Sequence, residues 1–116
     1  MTFWVTAWLR AFGLTLLIEL PLAVPLLARV ETSRLRRVAA VVAANLATHP
    51  LVWFLFPGLA LGWPARLALS EAWALIAEAI IYMTVWPGLR RRAWLVSLVA
   101  NAASATAGLI IRRIWE

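Results

Sequence analysis

Four runs of largely apolar residues, roughly Phe3 to Ala28, Val38 to Phe56, Leu67 to Trp86 and Ala93 to Ile111, are separated by clusters of Arg, Pro, Gly and Trp. A helix rises about 1.5 Å per residue, so about 20 apolar residues are needed to cross a hydrocarbon core about 30 Å thick. Four such spans use up a chain of 116 residues. The predicted architecture is therefore an all-α, four-helix transmembrane bundle forming one domain over residues 1–116. Composition agrees: 65% of residues are hydrophobic and 14% charged, against about a quarter charged in soluble domains.

The net charge of +6 comes from Arg alone, since the chain has no Lys, and it lacks Asp as well. In a soluble protein that excess would suggest nucleic acid. Here the Arg residues lie mostly between apolar spans, so they report topology and no nucleic-acid partner is expected. Arg29, Arg34, Arg36, Arg37, Arg90, Arg91 and Arg92 fall in the first and third connections, whereas Arg10, Arg66, Arg112 and Arg113 fall on the other side. The positive-inside rule then predicts a multi-pass protein of the cell's inner (plasma) membrane with both termini outside the cytoplasm. The first apolar run does not read as a secretory signal, because it lacks a basic start and Glu19 interrupts it. The absence of Cys excludes disulfides, thiolate metal sites and Cys nucleophiles.

Turn residues match these boundaries. Pro57-Gly58 closes the second span, Pro64 opens the third, and Pro87-Gly88 closes it. Trp4, Trp8, Trp63, Trp86, Trp94 and Trp115 fall near span ends, where aromatic rings anchor at the interface. Pro21, Pro25 and Pro50 lie inside spans, where each frees a carbonyl four residues earlier and predicts a kink.

The two halves of the chain share an order of polar features: an acidic residue late in one span, an Arg cluster, then N-x-x-[ST] in the next span. Glu19 and Asn45-Leu46-Ala47-Thr48 correspond to Glu78 and Asn101-Ala102-Ala103-Ser104. Two tandem two-helix hairpins related by a pseudo-twofold axis along the membrane normal are expected, an arrangement used by transporters.

Counting residues from the Arg clusters converts sequence into depth. Glu19, Asn45, His49, Glu78 and Asn101 all fall at roughly 12 to 18 Å, near the bilayer midplane, and Thr48, Tyr82 and Ser104 join them. An ionised carboxylate there costs about 3 kcal/mol or more, so neither Glu19 nor Glu78 should face lipid. Two such carboxylates need a shared proton, a bound cation or a protonated His49. The candidate proton- or cation-binding residues are thus Glu19, Glu78, Asn45, Asn101, His49, Thr48, Ser104 and Tyr82. The spacings Glu71–Glu78–Tyr82, Asn45–His49 and Ser97–Asn101–Ser104–Gly108 each mark one helix face. Ala100, Ser104 and Gly108 form small-xxx-small steps suited to close helix contact.

Arg10 and Glu71 both reach the outer boundary, and a structural ion pair between the first and third helices is expected for them. His49, the lone His, is either a satisfied core residue or a proton relay or metal ligand. One His with two Glu could bind zinc, yet no H-E-x-x-H spacing or second His supports it, so the metal stays open and no cofactor is expected.

The set Glu19-x-Pro21, Asn45-x-x-Thr48-His49-Pro50, Glu71 with Glu78 and Tyr82, and Ser97-x-x-x-Asn101-x-x-Ser104 with Gly108 resembles small, uncharacterised four-span bacterial integral membrane proteins. The resemblance implies the same fold and membrane and brings no activity with it. No match is seen to small multidrug-resistance or fluoride-channel proteins. The sequence favours a proton- or cation-coupled transporter or channel, assembled as a homo-oligomer because four helices enclose little volume. The alternatives are an accessory or assembly subunit of a larger membrane complex and, third, an intramembrane enzyme, which lacks an evident nucleophile.

Overall fold

The computed structural model describes residues 2–115, and side chains as far as residue 114. Four helices follow one another: α1 (Phe3–Leu26), α2 (Arg34–Pro50), α3 (Trp63–Val85) and α4 (Arg90–Trp115). Beyond Pro50 the second span continues as a π-helical turn, Leu51–Leu55, and a 3-10 turn, Phe56–Gly58. All four spans are long and apolar enough to cross a membrane. The molecule measures 41 × 26 × 25 Å, and its long dimension matches the roughly 40–45 Å of a bilayer with headgroups.

The helices form a ring in which α1 touches α2 and α4, and α3 touches α2 and α4. Short connections make each helix antiparallel to the next, so α1 and α3 run in the same direction on one diagonal. Thr2 caps α1 by accepting the Val5 N–H at 3.4 Å, and Ser33 caps α2 by accepting that of Arg36 at 3.3 Å. Pro64 sits in the first turn of α3. Gly88, with φ of 90°, makes the reversal into α4 in a left-handed conformation that other residues enter only at a cost.

Three helices start earlier than the apolar runs suggest, α3 at Trp63 with Pro64 in its first turn. Arg34, Arg36 and Arg37 belong to the first turn of α2, and Arg90, Arg91 and Arg92 to that of α4. Long Arg side chains keep their heads in polar surroundings while the backbone beneath them is already helical. α4 likewise runs past Ile111 to Trp115.

Arginine also solves a problem created where α1 ends. The Ala28 N–H turns to Pro25 O rather than Val24 O, so the carbonyls at the end of α1 lose helical partners. Arg37 of α2 donates to Val24 O at 2.8 Å, and Arg92 of α4 donates to Leu26 O at 2.9 Å. Cations at a helix C-terminus also oppose its dipole. Two of the seven Arg counted as topology signals therefore bind α1 to both its neighbours. In the same connection the Ser33 N–H, followed by Arg36, holds the Glu31 carboxyl below its ordinary pKa. The exposed Arg36–Glu31 pair at 3.5 Å adds little.

The interior at the Arg-rich end is apolar: Ala23, Leu27, Val41, Ala44, Ala93 and Val96 are fully buried, with Tyr82 beside them. Expected close packing along α4 holds at Ala100, which is buried, and ends before Gly108, which is exposed and has no neighbour within 4 Å of a built Cβ. Trp4, Trp63 and Trp94 are exposed, as interfacial anchors require. Trp8 instead turns inward, and the Trp115 side chain lies outside the described residues. Pro21 and Pro25 both face outward, and α1 continues through them.

Replacing a charged hydrogen bond to a carbonyl costs about 2 kcal/mol. Arg37→Ala and Arg92→Ala should each lower stability by about that amount in unfolding measurements on detergent-solubilised protein, whereas Arg34→Ala, at an exposed position, should stay within about 0.5 kcal/mol.

Candidate functional site: a buried carboxylate and amide layer

Glu19 in α1 and Glu78 in α3 are each 1% exposed. In a chain of apolar helices this burial can only mean that they point into the bundle, and the side chains that meet them come from α2 and α4. Asn101 donates through Nδ2 to Glu78 Oε2, and Thr48 donates through Oγ1 to Glu78 Oε1 at 3.4 Å. On the other diagonal corner Ser104 donates through Oγ to Glu19 Oε1 at 2.9 Å. Asn45, which bonds Val41 O at 2.9 Å, also turns its amide toward Glu19.

These contacts repeat a rule. Each carboxylate accepts a hydroxyl from the other hairpin, Ser104 for Glu19 and Thr48 for Glu78, and has beside it the Asn of the next helix of its own hairpin, Asn101 bonded to Glu78 and Asn45 turned toward Glu19. The two N-x-x-[ST] segments thus interlock the hairpins. The donors are neutral, and among the described residues no cationic side chain pairs with either carboxylate. Glu78 has both oxygens bonded, whereas Glu19 Oε2 is buried with no hydrogen-bond partner.

His49 lines the same layer but does not join a carboxylate. The Trp8 indole donates to its Nδ1 at 3.0 Å, and its Nε2 meets Thr15 Oγ1 at 3.3 Å. An indole N–H can only donate, so Nδ1 is the acceptor and the network assigns the ring proton to Nε2. The imidazole is stacked near Trp53 (6.4 Å between centroids, 18°) and meets Phe12 edge-on at 5.4 Å. This neutral, aromatic-boxed His49 is not the counter-charge to the acids. Tyr82 is buried one turn below Glu78 and packs near Trp86 at 6.4 Å. It belongs to the apolar core and does not line the cavity described next.

A cavity of about 120 Å³ lies against the layer, lined by Glu19, Asn45, Thr48, His49, Asn101 and Ser104 together with Thr15, Ser70 and Glu71. A water occupies about 30 Å³ of liquid, so the space suits a few waters or a small solute. Among the described residues no group of three His, Cys, Asp or Glu is arranged to hold a metal ion.

The expected Arg10–Glu71 ion pair is not formed: among the described residues the ion pair is Arg36–Glu31. Helical geometry explains why. Arg10 and Glu19 are nine residues apart, which at about 100° per residue places them on opposite faces of α1. With Glu19 inside, Arg10 is exposed. Glu71 lies seven residues before Glu78, on the same face of α3, and so lines the cavity. Thr15 and Ser70 were also missed. Thr15 had a signal in its spacing of four from Glu19, and Ser70 had only its adjacency to Glu71.

The chain matches no known protein family, no curated protein and no solved structure. The site therefore has to be read from its own chemistry.

The Glu19–Ser104 contact joins α1 to α4 across the bundle, and interhelical hydrogen bonds in membranes are worth about 0.6 to 2 kcal/mol. A double-mutant cycle of Glu19→Gln with Ser104→Ala should give a coupling in that range. The same cycle of Glu19→Gln with Thr106→Ala should give none, since Thr106 is exposed and bonds Ala102 O in its own helix.

Proposed function

We propose that this protein is a small transporter or channel unit that binds a proton or cation at the midplane layer of Glu19, Asn45, Thr48, Glu78, Asn101 and Ser104. The observation that carries this reading is the solvation of the two acids by neutral groups alone. Amide and hydroxyl donors stabilise a carboxylate without cancelling its charge, and each ionised carboxylate at mid-bilayer costs about 3 kcal/mol or more. The balance must come from something exchangeable, and Glu19 Oε2, buried without a hydrogen-bond partner, is left for it.

The mirrored hydrogen bonds support reading the two hairpins as copies related by a pseudo-twofold axis, with the acids near that axis. The Arg bias supports placing the α1–α2 and α3–α4 connections in the cytoplasm and both termini outside. The resemblance to four-span bacterial proteins supports the inner membrane. Four helices leave space for only a small cavity, so the conducting form is a homo-oligomer.

Glu78 favours a second reading. Both of its oxygens are bonded, as in a layer that only specifies helix pairing, and this suits an accessory subunit of a larger membrane complex. Reconstitution decides between them. In proteoliposomes with ion-sensitive dyes, the transporter reading expects a proton or alkali-cation flux that Glu19→Gln reduces to the level of empty vesicles. Absence of flux, with Glu19→Gln and Glu78→Gln still folding and copurifying with a partner complex, establishes the accessory reading instead.

A further inference from the structure

The layer is closed toward one end of the bundle and open toward the other. On the Arg-rich side, Ala23, Val41, Ala44, Tyr82 and Val96 are each at most 1% exposed and fill the interior. Among the cavities on the opposite side, one of about 120 Å³ is lined by Glu19 and one of about 240 Å³ by Phe56, Trp63 and Arg66. They share Val52, Ser70 and Glu71 in their walls. These adjoining cavities mark a route from the connection between α2 and α3 toward the buried Glu19, with Glu71 in the wall they share.

We infer that this route is a one-sided path for a small cation, with Glu71 as the outer binding group and Glu19 Oε2 as the inner one. The inference rests on the reading that the midplane layer exchanges a cation. Three features argue for it. Glu71 forms no ion pair among the described residues, so its carboxyl group is available to a guest. Among the described residues that line the inner chamber, Glu19 has a buried oxygen, Oε2, without a hydrogen-bond partner. Arg66 lines the outer cavity and not the inner one, so the guanidinium stops at the mouth while the inner chamber holds carboxyl groups, neutral amides and hydroxyls, and the His49 ring. Carboxylate and hydroxyl oxygens suit a hard cation, and since no three acidic or His side chains among the described residues are grouped to hold a metal ion, the guest is a hydrated proton or an alkali ion.

The chain has no Cys, so a single introduced thiol reports accessibility without background. Ser70→Cys and Ala74→Cys probe the path, and Ala40→Cys and Ala93→Cys probe the closed side, each in lipid nanodiscs that expose both ends. Cationic and anionic membrane-impermeant thiosulfonates are compared after normalising to their rates with a free thiol. Ser70→Cys and Ala74→Cys should react, with the cationic reagent favoured by about tenfold near a carboxylate in a confined site. Glu71→Gln should remove that preference, and Ala40→Cys and Ala93→Cys should stay unreactive. Sodium chloride against choline chloride at equal ionic strength and fixed pH separates the two guests: slowing by sodium assigns the path to alkali ions, and no slowing assigns it to protons.

Unreactive thiols at both path positions in protein that retains its helical circular dichroism, equal rates for the two reagents, or equal labelling at Ala40→Cys would each overturn the inference. Labelling as expected in a protein that moves no ion removes the transport reading and leaves the path. Flux through a protein whose path thiols are unreactive does the reverse.

Discussion

A carboxylate inside a bilayer has nowhere to go except inward, and the rest of this bundle is arranged around two of them. Glu19 and Glu78 sit on the diagonal helices α1 and α3, so neither can be reached by the other's hairpin alone. The Asn and hydroxyl side chains of α2 and α4 bridge the gap. Each acid accepts a hydroxyl from the other hairpin and has the Asn of its own hairpin beside it, and this sets all four helices in one register. Apolar contact cannot supply such register, because in lipid the helix surfaces are as well solvated apart as together.

The two ends of the bundle are built on different principles. At the Arg-rich end small apolar residues fill the interior, and Arg37 and Arg92 reach across to carbonyls at the end of α1. Those carbonyls lie in the last turn of α1 and lack helical donors, so two of the Arg residues that mark topology also tie α1 to its neighbours. At the other end the second span loosens into a π turn after Pro50. His49 is enclosed there by Trp8, Phe12, Trp53 and Thr15, and cavities open beside it. Irregular helical turns of this kind accompany functional sites in many proteins, and here the looser end is also where polar lining reaches the acids.

Much of the site was legible in linear spacing. Depth counted from the Arg clusters brought Glu19, Asn45, Thr48, Glu78, Asn101 and Ser104 to one layer, and they meet there because α-helical rise is nearly constant. Rotation about each helix axis was equally available and corrects the reading of Arg10 and Glu71. Nine residues turn Arg10 away from Glu19, while seven keep Glu71 beneath Glu78. Depth alone also drew in Tyr82, which faces the apolar core, and left His49 as a possible counter-charge when its two nitrogens are already engaged by Trp8 and Thr15.

What the sequence determined by itself is the number of spans, their approximate ends and the inward direction of the midplane acids, because bilayer thickness and the cost of burying charge act on any chain through local composition. Only the tertiary structure decided which donor meets which carboxylate, that Glu78 is fully satisfied while Glu19 keeps one bare oxygen, and that the interior is open at one end. Those outcomes depend on which helices are neighbours and how far each is turned, and that is set by packing among all four at once.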